Sequence, residues 1–416
     1  MKTVIGGVQF LSIGVVLFVL SGCLPPGADD PLDFSTPSLS LKGAPFDVDE
    51  ASLTVSGPGM STIEETLDPG ESSITLEIPA GSSRTFEISI NNETSAFGGT
   101  ETADLESGMS VDVSIDVEMN DLKLIVIDRF NERLVQLDDM TGAGWTEKEA
   151  LDYSLFTDLL ITNDVDYDQY GRIYTTVTDT GTNIFSIVRI NSIGELDEDF
   201  RISAPNLSTP SIYALAVDRN NNFIYYTYGN GTGETVVKAD YSGNILTTYD
   251  SGLFFSDGGP GIQGLAVDPD GYVHIAYDPL GDGRAVEKLD PSGSGQIVAY
   301  NEMMYGAFDA QYKDGYLYFV GYDFDSFEIP LVYRLPVNYN ATTSPDTLDG
   351  NPNDVEDTFW GALRFLVSLD GSLYIIDDDA FEARIIKFDD ITGAGWESFQ
   401  ATDIGKSPFN FINPDD

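Results

Sequence analysis

The sequence predicts an all-β protein in two parts, a small β-sandwich over residues 36–119 and a ring of six similar β-sheets over residues 120–416. Three observations lead to this prediction. Alternating polar and apolar runs fill the first part, and one tight turn recurs through the second. The last strand-like segment lies where the first sheet of the ring lacks a strand.

The N-terminal part alternates polar and apolar residues with a period of two. The alternating runs are Ser52–Ser56, Ser73–Ile78, Thr85–Ile90 and Met109–Val117, and Pro- and Gly-containing turns separate them. This pattern is typical of a small β-sandwich. The run Ile78–Phe86 resembles a turn and strand of prealbumin-like or immunoglobulin-like domains of bacterial envelope proteins, and it carries no catalytic residue.

The second part repeats a tight turn that is followed by an apolar residue and, usually, tyrosine. Its copies are Gly171–Tyr174, Asn222–Tyr225, Gly271–His274, Gly315–Tyr318 and Gly371–Tyr374. Asp138–Trp145 returns almost unchanged at Asp389–Trp396, and aligning these two segments puts Asn120 opposite Gly371 as a sixth turn. A repeat of this length indicates one small sheet for each copy.

A second repeated element, two apolar residues and usually a Lys or Arg, precedes a polar turn. Its copies are Leu134–Gln136, Ile187–Arg189, Val236–Lys238, Val286–Lys288, Val332–Arg334 and Ile385–Lys387.

Only five of the six turns follow an inner-strand candidate. The five candidates are Leu160–Asp166, Ala214–Asp218, Gly264–Asp268, Phe308–Lys313 and Ala362–Ser368. The segment Pro408–Ile412 follows the last repeat, where another inner strand is expected. We therefore predict that this C-terminal strand completes the first sheet and closes the ring.

In this arrangement the chain resembles six-bladed β-propellers of the NHL or TolB/lactonase-like type, over roughly residues 120–416. The segment Asp138–Trp145 is similar to a motif of NHL-like bacterial envelope proteins. We interpret it as a turn that an Asp caps, that two glycines allow, and whose Trp packs against an outer strand. The resemblance implies either a binding scaffold or a calcium-dependent, lactonase-type hydrolase whose axial metal is held by Glu, Asp and Asn.

The N-terminus has the features of a secretion signal. Lys2 precedes the apolar run Val4–Leu20, and Leu20–Cys23 resembles a bacterial lipobox, which implies a signal peptide over 1–23 and lipid modification of Cys23. The alternative is an uncleaved anchor with an incidental cysteine. Residues 24–35 are rich in Pro and Asp and are predicted to form a tether. Leu24, rather than Asp, follows the cysteine, which favours the outer membrane of the cell envelope.

The composition excludes several functions. With 69 acidic and 20 basic residues, the formal net charge is -49, so the surface repels nucleic-acid backbones. Such a surface suits calcium or a basic partner, or it serves solubility alone. The single cysteine allows no internal disulfide, and the single histidine leaves no Ser-His-Asp arrangement. His274 occupies the tyrosine position of its repeat, which predicts a structural role.

Two acidic clusters have the oxygen chemistry that calcium prefers, although an acidic chain produces such clusters by chance. They are Asp164-x-Asp166-x-Asp168 and Asp377-Asp378-Asp379. Neither is a complete EF-hand loop, so calcium stays the only cofactor under consideration and no metal ligand is assigned.

The candidate ligand site lies at the mouth or axis of the ring. Polar residues on or near the inner strands are Asn163, Gln263, Asp309, Arg364 and Asn410. Arg364 either pairs with a carboxylate such as Asp309 or helps recognise a small anionic or sugar-like ligand. The polar segment 336–357 is the best candidate for a partner-facing loop. We therefore expect a lipid-anchored envelope protein that binds a protein or glycan, with the calcium-dependent hydrolase as the alternative.

Overall fold

The computed structural model describes most of the chain from residue 34 onward. The described residues are 34–42, 50–68, 73–92, 95–128, 131, 133–149, 159–179, 184–191, 195–203, 212, 214–229, 234–249, 262–277, 286–292, 296–298, 304–323, 330–340, 343–350, 359, 362–368, 371–378 and 383–409. Cys23 and the predicted signal segment lie outside these residues. Within them, no helix is long and apolar enough to cross a bilayer.

Ten strands form the N-terminal part. They are β1 (Phe34–Ser35), β2 (Ser38–Lys42), β3 (Glu50–Ser56), β4 (Ile63–Leu67), β5 (Ser73–Thr75), β6 (Ile78–Pro79), β7 (Gly81–Asn91), β8 (Ser95–Leu105), β9 (Asp112–Asp116) and β10 (Glu118–Leu122). One sheet has the order β10-β8-β7-β3-β4, a second has the order β5-β2-β9, and β1 pairs with β6. The two larger sheets enclose one core.

Period-two alternation builds that core. Leu53 and Val55 on β3 and Phe86 and Ile88 on β7 are at most 1% exposed, whereas the residues between them are more accessible. Because successive side chains of a strand point to opposite faces, one face of each strand is buried and the other meets solvent. The strands predicted from alternation are therefore confirmed in β3 and β7.

Six further sheets follow, and each is called a blade here. Blade 1 contains β11 (Leu124–Asp128), β12 (Arg133–Leu137) and β13 (Thr146–Glu149). Blade 2 contains β14 (Leu159–Tyr167), β15 (Ile173–Asp179), β16 (Ile184–Ile190) and β17 (Leu196–Ser203). Blade 3 contains β18 (Leu215–Asp218), β19 (Phe223–Gly229), β20 (Glu234–Asp240) and β21 (Ile245–Tyr249).

The remaining blades have the same construction. Blade 4 contains β22 (Ile262–Val267), β23 (Val273–Tyr277), β24 (Val286–Leu289) and β25 (Gln296–Val298). Blade 5 contains β26 (Met304–Lys313), β27 (Tyr316–Asp323), β28 (Pro330–Pro336) and β29 (Asp346–Leu348). Blade 6 contains β30 (Ala362–Val367), β31 (Leu373–Asp378), β32 (Ala383–Phe388) and β33 (Glu397–Phe399), and a 3₁₀ turn, Ala401–Ile404, follows.

The strand count confirms the all-β, propeller-type architecture that the repeats predict. Blades 2–6 are four-stranded antiparallel meanders, and blade 1 has three strands in the order β11-β12-β13. Among the described residues, blade 1 lacks its inner strand, the one that the sequence predicts to come from the C-terminal segment. The Tyr167 hydroxyl on the inner strand of blade 2 donates to the Val367 carbonyl on the inner strand of blade 6 at 3.2 Å.

The first and last blades are in contact. Val126 and Val135 of blade 1 share a buried cluster with Ile385 of blade 6 and with Phe409. Arg133 of blade 1 also donates to the Ser407 carbonyl at 2.8 Å.

The pairing of Pro408–Ile412 with blade 1 stays a prediction, because residues 410–416 lie outside the described part. Within that part, Phe409 forms an isolated bridge with Ala383 of blade 6.

The repeated Asp-Asp-x-Thr-Gly-Ala-Gly-Trp segment is a turn in both copies. Asp139 accepts from the backbone N–H of Thr141 at 2.8 Å, and Asp390 accepts in the same way from Thr392. Both glycines of each copy adopt positive φ angles between 64° and 77°, which side chains resist. Trp145 lies 6.4 Å from the Phe399 ring of blade 6, so the first copy helps to join the first and last blades.

Candidate functional site

The strand register identifies the equivalent residue on the inner strand of each of blades 2–6. In blades 2–6 the inner strands pair with their neighbours through Tyr167–Ile173, Val217–Ile224, Val267–Val273, Tyr312–Leu317 and Val367–Leu373. Three residues earlier lie Asp164, Ala214, Gly264, Asp309 and Arg364. We call these five residues the axial layer.

Four of the five inner strands are irregular at this level. The register shifts between Ile161 and Val165 in blade 2, and at Gln263, Phe308 and Leu363 in blades 4, 5 and 6. A β-bulge turns a side chain away from its regular direction and often lies beside a functional site. The bulges therefore mark the axial layer as a place where the repeat departs from a regular sheet.

Three charged residues of the axial layer, from three different blades, interact electrostatically. Asp164 and Asp309 are 7% and 2% exposed. Burial raises the pKa of Asp164 well above its ordinary range, and the Asp309 carboxylate raises it further, whereas the Arg364 guanidinium lowers it. Arg364 also contacts the carbonyl of the bulged residue Gln263, with Nη1 at 3.4 Å. Of the predicted site residues, Arg364 thus contacts Gln263, and Asp309 and Arg364 both act on the Asp164 carboxyl group.

Hydrogen bonds between blades hold the first carboxylate in place. Asp164 Oδ2 accepts from the Leu215 N–H of blade 3 at 2.7 Å, and its Oδ1 accepts from Val165 N–H at 2.9 Å. Asp166 accepts from the Val217 N–H in the same way at 2.7 Å. These aspartates therefore fasten the inner strand of blade 2 to that of blade 3 and do not form the calcium cluster that their spacing suggested.

The small members of the axial layer allow the close approach of two blades. An added Cβ on Gly264 would lie 2.6 Å from the Asp309 Cα. Real Cβ atoms do not come so close to a backbone carbon, so only glycine allows blades 4 and 5 to pack in this way. Ala214 is the other small residue of the layer.

No metal centre is formed by the described residues. They contain no group of three or more His, Cys, Asp or Glu side chains arranged around a common point. Asp377 of the second acidic cluster is fully buried and accepts from Arg384 Nε at 2.8 Å. The side chain of Asp378 and all of Asp379 lie outside the described residues.

Two predicted ligand residues cannot be placed as side chains. Asn163 lies on β14 next to Asp164, but its side chain is outside the described part, and Asn410 lies outside it altogether. Asp164 was missed as an axial residue, since its spacing to Asp166 resembled a calcium loop. The register alignment that singles out Ala214 and Gly264 would have found it.

His274 has the structural position that its repeat predicts. It is fully buried, and its Nε2 lies 3.2 Å from Asp268 Oδ2. In blade 2 the Tyr174 hydroxyl makes the matching bond to Asp168 at 2.9 Å. The Nδ1 atom of His274 lies 3.2 Å from the Tyr339 hydroxyl, at the start of the segment 336–357. Burial lowers the pKa of His274, although Asp268 raises it.

Comparisons with known proteins do not assign the chain to a family. No protein-family model and no curated protein matches it. Among solved structures, a nidogen/laminin complex is 15% identical with a TM-score of 0.44, covering 65% of this chain and 90% of the other. Puromycin hydrolase is 11% identical with a TM-score of 0.43, covering 81% and 54%.

A putative TolB from Agrobacterium tumefaciens is 12% identical with a TM-score of 0.38, covering 71% of this chain and 88% of the other. This chain spans about half the length of the puromycin hydrolase chain. The architecture described above rests on the strand pairing of this chain itself.

Proposed function

We propose that this protein is a lipid-anchored, extracytoplasmic envelope protein whose blades form a binding scaffold for a protein or glycan partner. The observation that carries the binding role is the axial layer, where Asp164, Asp309 and Arg364 converge from three blades beside a bulged Gln263. Preorganised polar groups that come from several repeats are typical of ligand recognition. The proposed partner contacts this layer through hydrogen-bonding groups.

The anchoring half of the proposal rests on the lipobox-like sequence before Cys23 and on the tether over residues 24–35. Two or three acyl chains on one cysteine give stable membrane attachment, whereas one chain gives only weak attachment. The acidic composition keeps the folded part away from anionic lipid headgroups. The outer membrane is the proposed location.

Site-specific photocross-linking in intact cells tests the binding role. A photoreactive side chain at Gln263 is expected to capture a partner, and the same group at the exposed outer-strand residue Ser398 serves as the matched control. Protease or glycosidase sensitivity of the adduct then distinguishes a protein from a glycan. Equal capture at both positions, or none at Gln263, would contradict the axial site.

Fatty-acid labelling tests the anchor separately. The wild-type protein is expected to incorporate labelled palmitate and to fractionate with the outer membrane, and Cys23→Ala is expected to lose both properties. A labelled Cys23→Ala protein, or an unlabelled wild type, would contradict lipidation. Neither result affects the cross-linking test.

A further inference from the structure

A polar pocket lies on the outer part of blades 2 and 3, away from the axial layer. Its volume is ≈ 470 Å³, which suits one sugar ring or a molecule of similar size. Its lining includes Tyr170, Arg172, Arg189, Asp199, Asn222 and Ser242. Two arginines in one pocket stand out in a chain with only 20 basic residues.

The pocket arises because blade 2 departs from the repeat. In blades 3, 4 and 5, an aromatic ring covers the Lys or Arg side chain of the third strand. Lys238 Nζ lies 3.8 Å from the Phe223 ring centre, Lys288 Nζ lies 3.9 Å from Tyr272, and Arg334 Cζ lies 4.6 Å from Tyr316. The matching cation in blade 2 is Arg189, but register places Arg172 where the others have the aromatic residue.

Arg172 is held rigidly and keeps one donor group available. Its Nε and Nη2 atoms both lie 2.7 Å from Asp168 Oδ2, which is fully buried. Its guanidinium lies 4.9 Å from the Tyr170 ring centre and 5.2 Å from that of Tyr241. Among the described residues, Nη1 has no hydrogen-bond partner. The side chain is therefore oriented before any ligand arrives, which lowers the entropy that binding costs.

The remaining lining selects the ligand class. Arg189 is already committed to Asp197 and to the Tyr241 carbonyl, at 2.8 Å from Nη1. Arg189 covers the ring of Phe200, and Arg172 covers the rings of Tyr170 and Tyr241. The pocket therefore offers little free ring surface for a flat aromatic ligand. Asp199, Asn222 and Ser242 are exposed at the rim, and their side chains can bond hydroxyl groups. Arg172 Nη1 is the available guanidinium group, and the Asp199 carboxylate lies at the rim. The pocket therefore suits a ligand with one negative charge better than a phosphate.

We propose that this pocket binds a sugar acid, with the carboxylate on Arg172 Nη1 and the hydroxyls on the polar rim. The ligand is either a free uronic acid or the uronate end of a glycan chain. The site is independent of the axial layer, since it uses residues of blades 2 and 3 alone. It would be retained if the axial site bound nothing.

Calorimetric titration of the full-length protein with D-glucuronate tests the site. Glucuronate is expected to bind at one site, and neutral D-glucose at least about tenfold more weakly, since it lacks the charge-assisted bond. Acetate is expected to bind more weakly still, because it offers no hydroxyl groups. No glucuronate binding, or equal binding of glucose or acetate, would overturn the proposal.

Variants locate the binding within the pocket. Arg172→Gln is expected to weaken glucuronate binding at least about tenfold. The matched control Arg334→Gln, on the tyrosine-covered cation of blade 5, is expected to leave it unchanged. Equal loss in both variants would contradict the assignment.

The exposed rim variant Asp199→Asn keeps the experiment informative if Arg172→Gln fails to fold. It removes a negative charge near the ligand carboxylate, so affinity is expected to rise about two- to fivefold. Unchanged or reduced affinity would contradict a carboxylate in this pocket. A tetrasaccharide ending in uronate distinguishes the two sources, since tighter binding than glucuronate indicates a glycan end and equal binding a free sugar acid.

Discussion

Blades 2 and 4 share one backbone and carry different chemistry. Their main turns match closely, because Asp168 N–H donates to the Arg172 carbonyl and Asp268 N–H to the Tyr272 carbonyl, both at 3.0 Å. In both blades the same buried Asp also accepts from the side chain six residues further on, Tyr174 or His274. The turn and its Asp are therefore structural, since they recur whatever the rest of the blade does.

The difference lies in the positions around this shared frame. At the axial level blade 2 has Asp164, where blade 4 has Gly264. At the outer level blade 2 has Arg172, where blade 4 has Tyr272. Blade 4 uses these positions for close packing and for covering a lysine, whereas blade 2 places charge at both. The two blades therefore share one backbone frame and differ in the side chains that they place around it.

The largest expected effect comes from removing Arg364 of blade 6, whose charge stabilises the buried Asp164 carboxylate of blade 2. Arg364→Met leaves the buried Asp164 and Asp309 carboxylates facing each other, and we expect the free energy of unfolding to fall by about 3–5 kcal/mol. Trp145 and Trp396 lie in the turns before β13 and β33, so urea unfolding followed by tryptophan fluorescence reports on the blades. Arg334→Met is the control. Its partner Asp346 has a side chain 60% exposed, so a loss of at most about 1 kcal/mol is expected.

The next test adds a methyl group to blade 4 at the axial level, where the neighbouring blades have larger side chains. Gly264→Ala pushes a methyl group against the Asp309 backbone at 2.6 Å, so a loss of about 1–3 kcal/mol is expected. Ala214→Gly, at the same level of blade 3, removes a methyl group and is expected to cost about 0.5–1 kcal/mol. A neutral Gly264→Ala variant would show that blades 4 and 5 are further apart than described.

The third comparison concerns the side chain that bonds the buried Asp of the turn. His274→Ala removes the ring nitrogens bonded to Asp268 and Tyr339, and a loss of about 1–3 kcal/mol is expected from these two lost buried hydrogen bonds. His274→Tyr installs the residue of blade 2 and is expected to cost less, since a tyrosine hydroxyl makes this bond in blade 2. Thermal unfolding of the two variants at pH 8 measures the difference. A larger loss for the tyrosine variant would contradict the shared role.

The same histidine predicts the smallest effect, a dependence on pH. Burial lowers the pKa of folded His274, so below pH 6.5 the unfolded chain binds a proton that the folded chain does not. The stabilisation is present above pH 6.5 and is lost as the pH falls towards the folded pKa, by at most about 1.4 kcal/mol per pH unit. Subtracting the His274→Tyr curve removes the contribution of the carboxylates. Parallel curves for the two proteins would contradict a depressed pKa.

Much of the architecture could be predicted from sequence because it repeats. The turns at Gly171 and Gly271 recur with their tyrosine or histidine, and counting inner strands against turns identified the incomplete blade 1. The strand pairing in the N-terminal sheets could not be predicted in the same way. It joins distant segments, such as the parallel strands β2 and β9, and no local sequence pattern indicates which strands pair.

The candidate site was only partly predictable. Asp309 and Arg364 were identified because polar residues on inner strands are conspicuous. Asp164 was not, because its spacing to Asp166 resembled a calcium loop. Aligning the repeats on their turn glycines places it opposite Gly264 and Arg364. Arg172 was also missed, although aligning the turn repeats shows it where Tyr272 and Tyr316 are aromatic.

A double-mutant cycle on Asp164 and Arg364 tests most directly whether distant blades meet at one axial site. The free energies of unfolding of Asp164→Asn, Arg364→Met and the double variant are compared with that of the wild type. Because the two residues are 200 positions apart in sequence, coupling requires that blades 2 and 6 bring them together. We predict an interaction energy of about 1–3 kcal/mol. Additivity within about 0.3–0.5 kcal/mol would mean that the two charges do not meet, and the axial site would be contradicted.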